Sequence, residues 1–133
     1  MEFSTFFAVA VGGGVGAILR YVVANVGQSL TTSEFPLGTL LVNIIGCALI
    51  GFLTALLIGP LWQHREFLRL LLLVGVLGGF TTFSTFALDS IELFDAGRIR
   101  QVVMYIILSN VFGILAAWSS YKFGSILFAA QST

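Results

Sequence analysis

The stretch Gly75-Val76-Leu77-Gly78-Gly79-Phe80-Thr81-Thr82-Phe83-Ser84-Thr85-Phe86 carries the pattern around which the rest of the chain is arranged. It sits inside an apolar run from about Phe67 to Phe94. Such a run is long enough to cross a bilayer, which takes about 20 helical residues. Its centre is unlike an ordinary span. Gly78-Gly79 weakens a helix, and Thr81, Thr82, Ser84 and Thr85 offer the backbone alternative hydrogen bonds. A helix broken here, near residues 79–83, frees N–H and C=O groups at membrane depth. Lipid cannot satisfy them, so they must face protein, water or an ion. Transport proteins place ion sites at such breaks. A flexible, tightly packed Gly-rich helix is the plainer alternative, and a lone Gly-Gly pair would favour it. The hydroxyl and phenylalanine run that follows favours an ion site.

Composition points the same way. Of 133 residues, 58% are hydrophobic and 9% charged, against about 25% charged in a soluble domain. The expectation is an all-α integral membrane protein, with residues 1–133 forming a single domain. The first apolar segment lacks a basic n-region and a small-residue cleavage site, so it is expected to stay as a membrane helix. A net charge of zero gives no electrostatic case for nucleic acid. Cys47 excludes an internal disulfide and, in a Gly/Ala-rich run, reads as a small packing residue.

Four spans are expected, at about residues 3–26, 37–58, 67–94 and 102–128. Pro36 suits a helix start, and Gly59-Pro60 a helix end. Basic residues set orientation. Arg20, Arg98 and Arg100 fall on one side of the membrane; Arg65, Arg69 and Lys122 fall on the other. With no bias, the chain is expected to insert both ways. Gly12, Gly16 and Ala17 form a small-residue stripe suited to close helix packing, to which Gly13 and Gly14 add; Gly46 and Gly51 thin the second span. The expected break lies near the middle of the third span, so in an antiparallel homodimer two breaks would meet at the bilayer centre.

No catalytic set is present, and no enzyme is expected. His64 sits beside Arg65 and Glu66 and reads as a solvated loop residue. Asp89 and Glu92, near the end of the third span, read as cap or interface groups. Thr39 and Asn43 are four apart and share a helix face, as do Tyr105 and Ser109, a face that Gly113 continues. Asn110 reads as a cross-helix hydrogen bonder. These polar residues are neutral and can donate hydrogen bonds. Two polar stripes and a broken helix suit a lined path.

Phe83 and Phe86 are three apart and share a face. A ring is positive at its edge, so ring edges together with donors from Asn43, Ser84 and Thr85 could meet a small desolvated anion. Core packing would explain an isolated pair of phenylalanines equally well. Arg20, near the end of the first span, can draw anions to a mouth or simply snorkel.

Three motifs, Gly13-Gly14-Val15-Gly16-Ala17-Ile18-Leu19-Arg20-Tyr21, Gly38-Thr39-Leu40-Leu41-Val42-Asn43-Ile44-Ile45-Gly46 and Gly78-Gly79-Phe80-Thr81-Thr82-Phe83-Ser84-Thr85-Phe86, resemble those of the Fluc (CrcB-like) fluoride channels. The resemblance covers all four spans in order, and the third motif is its most specific part. It implies an antiparallel dual-topology homodimer in a bacterial plasma membrane that exports toxic fluoride passively through two pathways. Phe83 and Phe86 match that family's pathway phenylalanines, Asn43 its pore asparagine, and Ser84 and Thr85 its hydroxyl contacts. Tyr105 and Ser109, with Thr39, match polar lining positions, and Arg20 a vestibule arginine. A structural sodium at the dimer centre would be held by the backbone carbonyls of Gly78 and Thr81. Some relatives carry a hydroxyl where this chain has Gly113.

Two other functions are weighed. A small multidrug exporter also has four helices and dual topology, but cation export by proton exchange needs a membrane-embedded carboxylate. The first span has none between Phe3 and Leu19. A non-transporting membrane subunit would need the glycines and the break only for packing, and ion flux separates it from a channel.

Overall fold

The computed structural model describes residues 3–58 and 65–129. Gly59-Pro60, His64 and the tail beyond residue 129 lie outside the described residues. Those described are all helical or in short connections. Helix α1 spans Phe3–Ser29 and α2 Leu37–Ile58. Helix α3, residues 65–80, opens as Arg65–Arg69, widens into π-helical winding over Leu70–Leu77, and regains α winding at Gly78–Phe80. Helix α4 is Phe83–Asp95, and α5 is Ile99–Ala129. Four stretches are long and apolar enough to cross a membrane: Phe3–Ser29, Leu37–Leu57, Glu66–Asp95 and Ile99–Phe128.

The helices overrun the apolar segments. α1 continues past Val26 to Ser29, and α5 begins at Ile99 rather than Val102. Helical winding needs only backbone bonds, so polar residues such as Gln28 and Gln101 wind into the ends. Gln28 then ties down the first connection. Its Nε2 donates to Ser33 O and Phe35 O, each at 3.2 Å, and its Oε1 accepts from Gly38 N–H. Pro36 opens α2, its carbonyl accepting the Leu40 N–H at 3.1 Å. α4 ends where Gly97 adopts φ +73° and Arg98 N–H reaches back to Leu93 O at 2.9 Å. That is a glycine-terminated helix end, in a backbone conformation that other residues avoid.

Two seams hold the unit together. α1 lies against α3 with backbones nearly touching. A Cβ added to Gly12 would stand 3.0 Å from Gly75 Cα, and one added to Gly75 would stand 3.0 Å from Gly12 Cα. Between apolar helices in lipid there is no hydrophobic drive, so close van der Waals approach of small residues supplies the association. α2 packs along α5, where Gly124 lies against Ala55 and the Phe52 and Phe128 rings meet edge-on at 5.6 Å. The tightest core lies near the α1–α2 connection, where Leu40, Leu93 and Tyr105 are buried among Phe35, Ile44, Phe86 and Leu108. Most other large apolar side chains face outward.

Candidate functional site

Backbone geometry changes between α3 and α4. Thr81 N–H and Thr81 Oγ1 both donate to Leu77 O at 3.0 Å. Thr81 then turns to ψ 157°, and Thr82 is extended at φ −149°, ψ 115°. Thr82 N–H points at α2, donating to Asn43 Oδ1 at 2.9 Å. Asn43 Nδ2 returns the bond to Thr82 O at 3.1 Å. The Thr82 hydroxyl caps α4, accepting from Thr85 N–H at 3.1 Å and donating to Thr85 Oγ1 at 3.0 Å, and it shares a 3.2 Å bond with Ser84 Oγ. A threonine here is a favoured cap because its oxygen takes one of the N–H groups that a helix start leaves free.

Cavities flank this turn. One, of about 340 Å³, is lined by Asn43, Cys47, Gly78, Thr81, Phe83, Phe86 and Ser109. A second, of about 350 Å³, is lined by Arg20, Thr39 and Thr85. Thr82 lines both. A third, of about 460 Å³, opens beside Thr39, Glu34, Asp89 and Glu92. The residues singled out in the sequence therefore divide. Phe83, Phe86, Asn43, Ser109, Gly78 and Thr81 share the first cavity, whereas Arg20, Thr39 and Thr85 border the second. Thr39 and Asn43, expected on one face, open to different cavities. Ser84 is exposed and reaches the group through Thr82.

Tyr105 is fully buried. Its ring lies 5.1 Å from Phe86, which in turn lies 5.6 Å from Phe83; Phe35 closes on its other side, edge-on at 5.6 Å. Its hydroxyl donates to Asp89 Oδ2 at 2.9 Å. The Ser109 Oγ is buried and, among the described residues, has no hydrogen-bond partner. Asn110 departs from its expected cross-helix bond. Its Nδ2 donates to Ile106 O of its own helix at 2.7 Å, because an amide four residues on reaches that carbonyl without crossing to another helix. Gly113 is buried, and a Cβ there would meet Cys47 Sγ at 3.3 Å.

Comparison with known proteins decides the family. The profile described as "CrcB-like protein, Camphor Resistance (CrcB)" matches residues 7–121. The chain belongs to the CrcB-like family. It is 46% identical over 125 residues to a protein of Paracoccus denitrificans, covering 94% of this chain and 98% of that one. It is 44% identical over 120 residues to one of Agrobacterium fabrum, with 90% and 95% covered, and 40% identical over 121 residues to one of Aquifex aeolicus, with 91% and 97% covered. Each of those proteins bears the name "Fluoride-specific ion channel FluC". With four membrane-length helices and these relatives, the CrcB-like chain is a multi-pass membrane protein.

Three groups of this CrcB-like chain do more at the site than their place in the sequence indicates. Thr82 caps α4 with its hydroxyl, a role that threonine at a helix start favours. Asp89, expected as a cap or interface group, serves at an interface, where it accepts the Tyr105 hydroxyl between α4 and α5. Cys47 was read as packing but lines the first cavity; nothing in a Gly/Ala-rich run marks it.

Proposed function

We propose that this protein is a fluoride-selective channel that exports fluoride passively across a bacterial plasma membrane. The observation that carries this is one cavity gathering Asn43, Phe83, Phe86 and Ser109 against the turn at Thr81-Thr82, in a chain whose relatives bear the name of a fluoride channel. The lining offers neutral donors and ring edges and has no carboxylate. The N-terminus of α4 begins at Phe83, which lines the same cavity, and the positive end of a helix dipole favours an anion. The orphaned Ser109 hydroxyl can donate to a bare fluoride. Arg20 would draw anions to the neighbouring cavity, and Thr39, Thr85 and Ser84 would continue the line of donors. Tyr105 would hold Phe86 in place.

The active form in this proposal is an antiparallel, dual-topology homodimer with two pathways. Phe83 is 80% exposed in the single chain, and in this dimer a second copy would enclose it. Sodium would sit where the two copies meet, held by the carbonyls of Gly78 and Thr81. The residues fit such an ion. Thr82 N–H, which a continuous helix would direct to Gly78 O, is engaged by Asn43, and the side of Gly78 is open. Carbonyl oxygens suit a hard cation. When bound, sodium would supply a fixed positive charge at the centre of the dimer.

Purified protein in liposomes, followed with a fluoride electrode, tests the function. Rapid fluoride efflux with no chloride efflux is expected. Liposomes that hold fluoride as tightly as empty ones would end the channel proposal.

A further inference from the structure

We infer that Asn43 is a positioning residue, whose amide keeps the Gly78 carbonyl free by taking the N–H that would otherwise close on it. The inference rests on the proposed sodium site and names what holds that site open. In a continuous helix Thr82 N–H bonds to the carbonyl four residues earlier, Gly78 O. Here it lies 2.9 Å from Asn43 Oδ1. The second bond, from Asn43 Nδ2 to Thr82 O at 3.1 Å, makes the contact two-pronged. One side chain on α2 thus grips both polar groups of one backbone residue, which fixes position along the chain as well as distance.

Thr82 is 7% exposed. Its own hydroxyl is engaged with Thr85. Without Asn43, the Thr82 N–H either stays unpaired, which is costly in a buried place, or returns to Gly78 O. The second course extends α3 across the turn, occupies the Gly78 carbonyl and rotates the Thr81 carbonyl away. Asn43 therefore acts on the cation through the backbone of a different helix. One of its two amide N–H groups is engaged with Thr82 O, which leaves one for the cavity it lines.

The test compares wild type, Asn43→Ala and Asn43→Asp. Hydrogen exchange at single-residue resolution on the folded protein reads the grip directly. In Asn43→Ala the Thr82 amide is expected to exchange about tenfold faster where it stays unpaired, the change that loss of one hydrogen bond produces, and to remain protected where it returns to Gly78 O. The Thr81 amide, bonded to Leu77 O, is expected to stay as it is. Asn43→Asp keeps an acceptor oxygen for Thr82 N–H and should restore protection, although its charge should stop fluoride. Thermal unfolding of the dimer against sodium concentration reads the consequence. The sodium needed for half of the stabilisation should rise about tenfold in Asn43→Ala, following the same lost bond, and stay near wild type in Asn43→Asp. An unchanged sodium requirement in Asn43→Ala, whether or not flux falls, would overturn the inference and leave Asn43 as a donor to the anion alone. If Asn43→Ala does not fold, Asn43→Asp is decisive: protected Thr82 supports the grip, and a tenfold loss overturns it. A wild type that conducts no fluoride would refute the channel, while Thr82 exchange would still judge the grip.

Discussion

Phe83 and Phe86 meet at 5.6 Å yet occupy different surroundings. Phe86 is half-buried against Tyr105, whereas Phe83 stands out from the chain. Packing alone predicts that leucine replaces either at a cost below about 1.5 kcal/mol, with function kept. If ring edges meet the anion, Phe83→Leu and Phe86→Leu leave the dimer folded but cut fluoride efflux about fivefold or more, equivalent to an aromatic contact of about 1 kcal/mol. Efflux per folded dimer is the measurement, and wild-type rates in both variants would remove the phenylalanines from the pathway. The face shared by these two rings was legible in their spacing of three residues. The bond from Tyr105 to Asp89 was not, because it joins α4 to α5 across sixteen positions, and no local pattern encodes such a pairing.

Between helices, the glycines of α1 separate into two kinds. Gly12 lies under the backbone of α3, while Gly14 has nothing within 4 Å of an added Cβ. Gly12→Ala must push α1 and α3 apart, and overpacking of this sort costs about 1–3 kcal/mol. Gly14→Ala should be neutral or stabilising by up to about 1 kcal/mol, the helix-propensity gain over glycine. Thermal unfolding of the two variants in detergent checks this, and equal stabilities would dissolve the α1–α3 seam as described. The stripe of Gly12 and Gly16 could be read from its four-residue period. That Gly14 lies off it follows from the same period, although the sequence reading had counted Gly14 with the stripe. The π winding over Leu70–Leu77 had no visible sign in a run of leucines and valines interrupted only by Gly75.

For the whole molecule, the balanced charges and the proposed sodium site carry two predictions. Basic residues divide three and three between the two sides, and such residues orient a membrane chain. A reporter fused to the C-terminus should therefore appear in both compartments at comparable levels, and two added lysines there should shift the population to one side and lower fluoride efflux. A reporter found on one side only would rule out the antiparallel dimer. The second prediction concerns sodium. Exchange of sodium for a large organic cation should lower efflux or the fraction of dimer, because Gly78 and Thr81 carbonyls suit a small hard ion. Full activity and an intact dimer after exhaustive sodium removal would count against the site.

Helix number and span follow from composition and period alone, because a bilayer demands about 20 apolar residues for each crossing and few other segments qualify. The family resemblance lay in three local motifs, and these too are read along the chain. Which polar groups meet across helices was settled only in three dimensions. Asn43 and Thr82 are thirty-nine residues apart, yet each satisfies the other's hydrogen bonds at a place where α3 stops winding. Thr39, four residues from Asn43 on the same helix, opens to a different cavity. Periodicity assigns a residue to a face of its own helix. What that face touches depends on how the helices cross, and the glycine contacts of α1 with α3 and of α2 with α5 set those crossings.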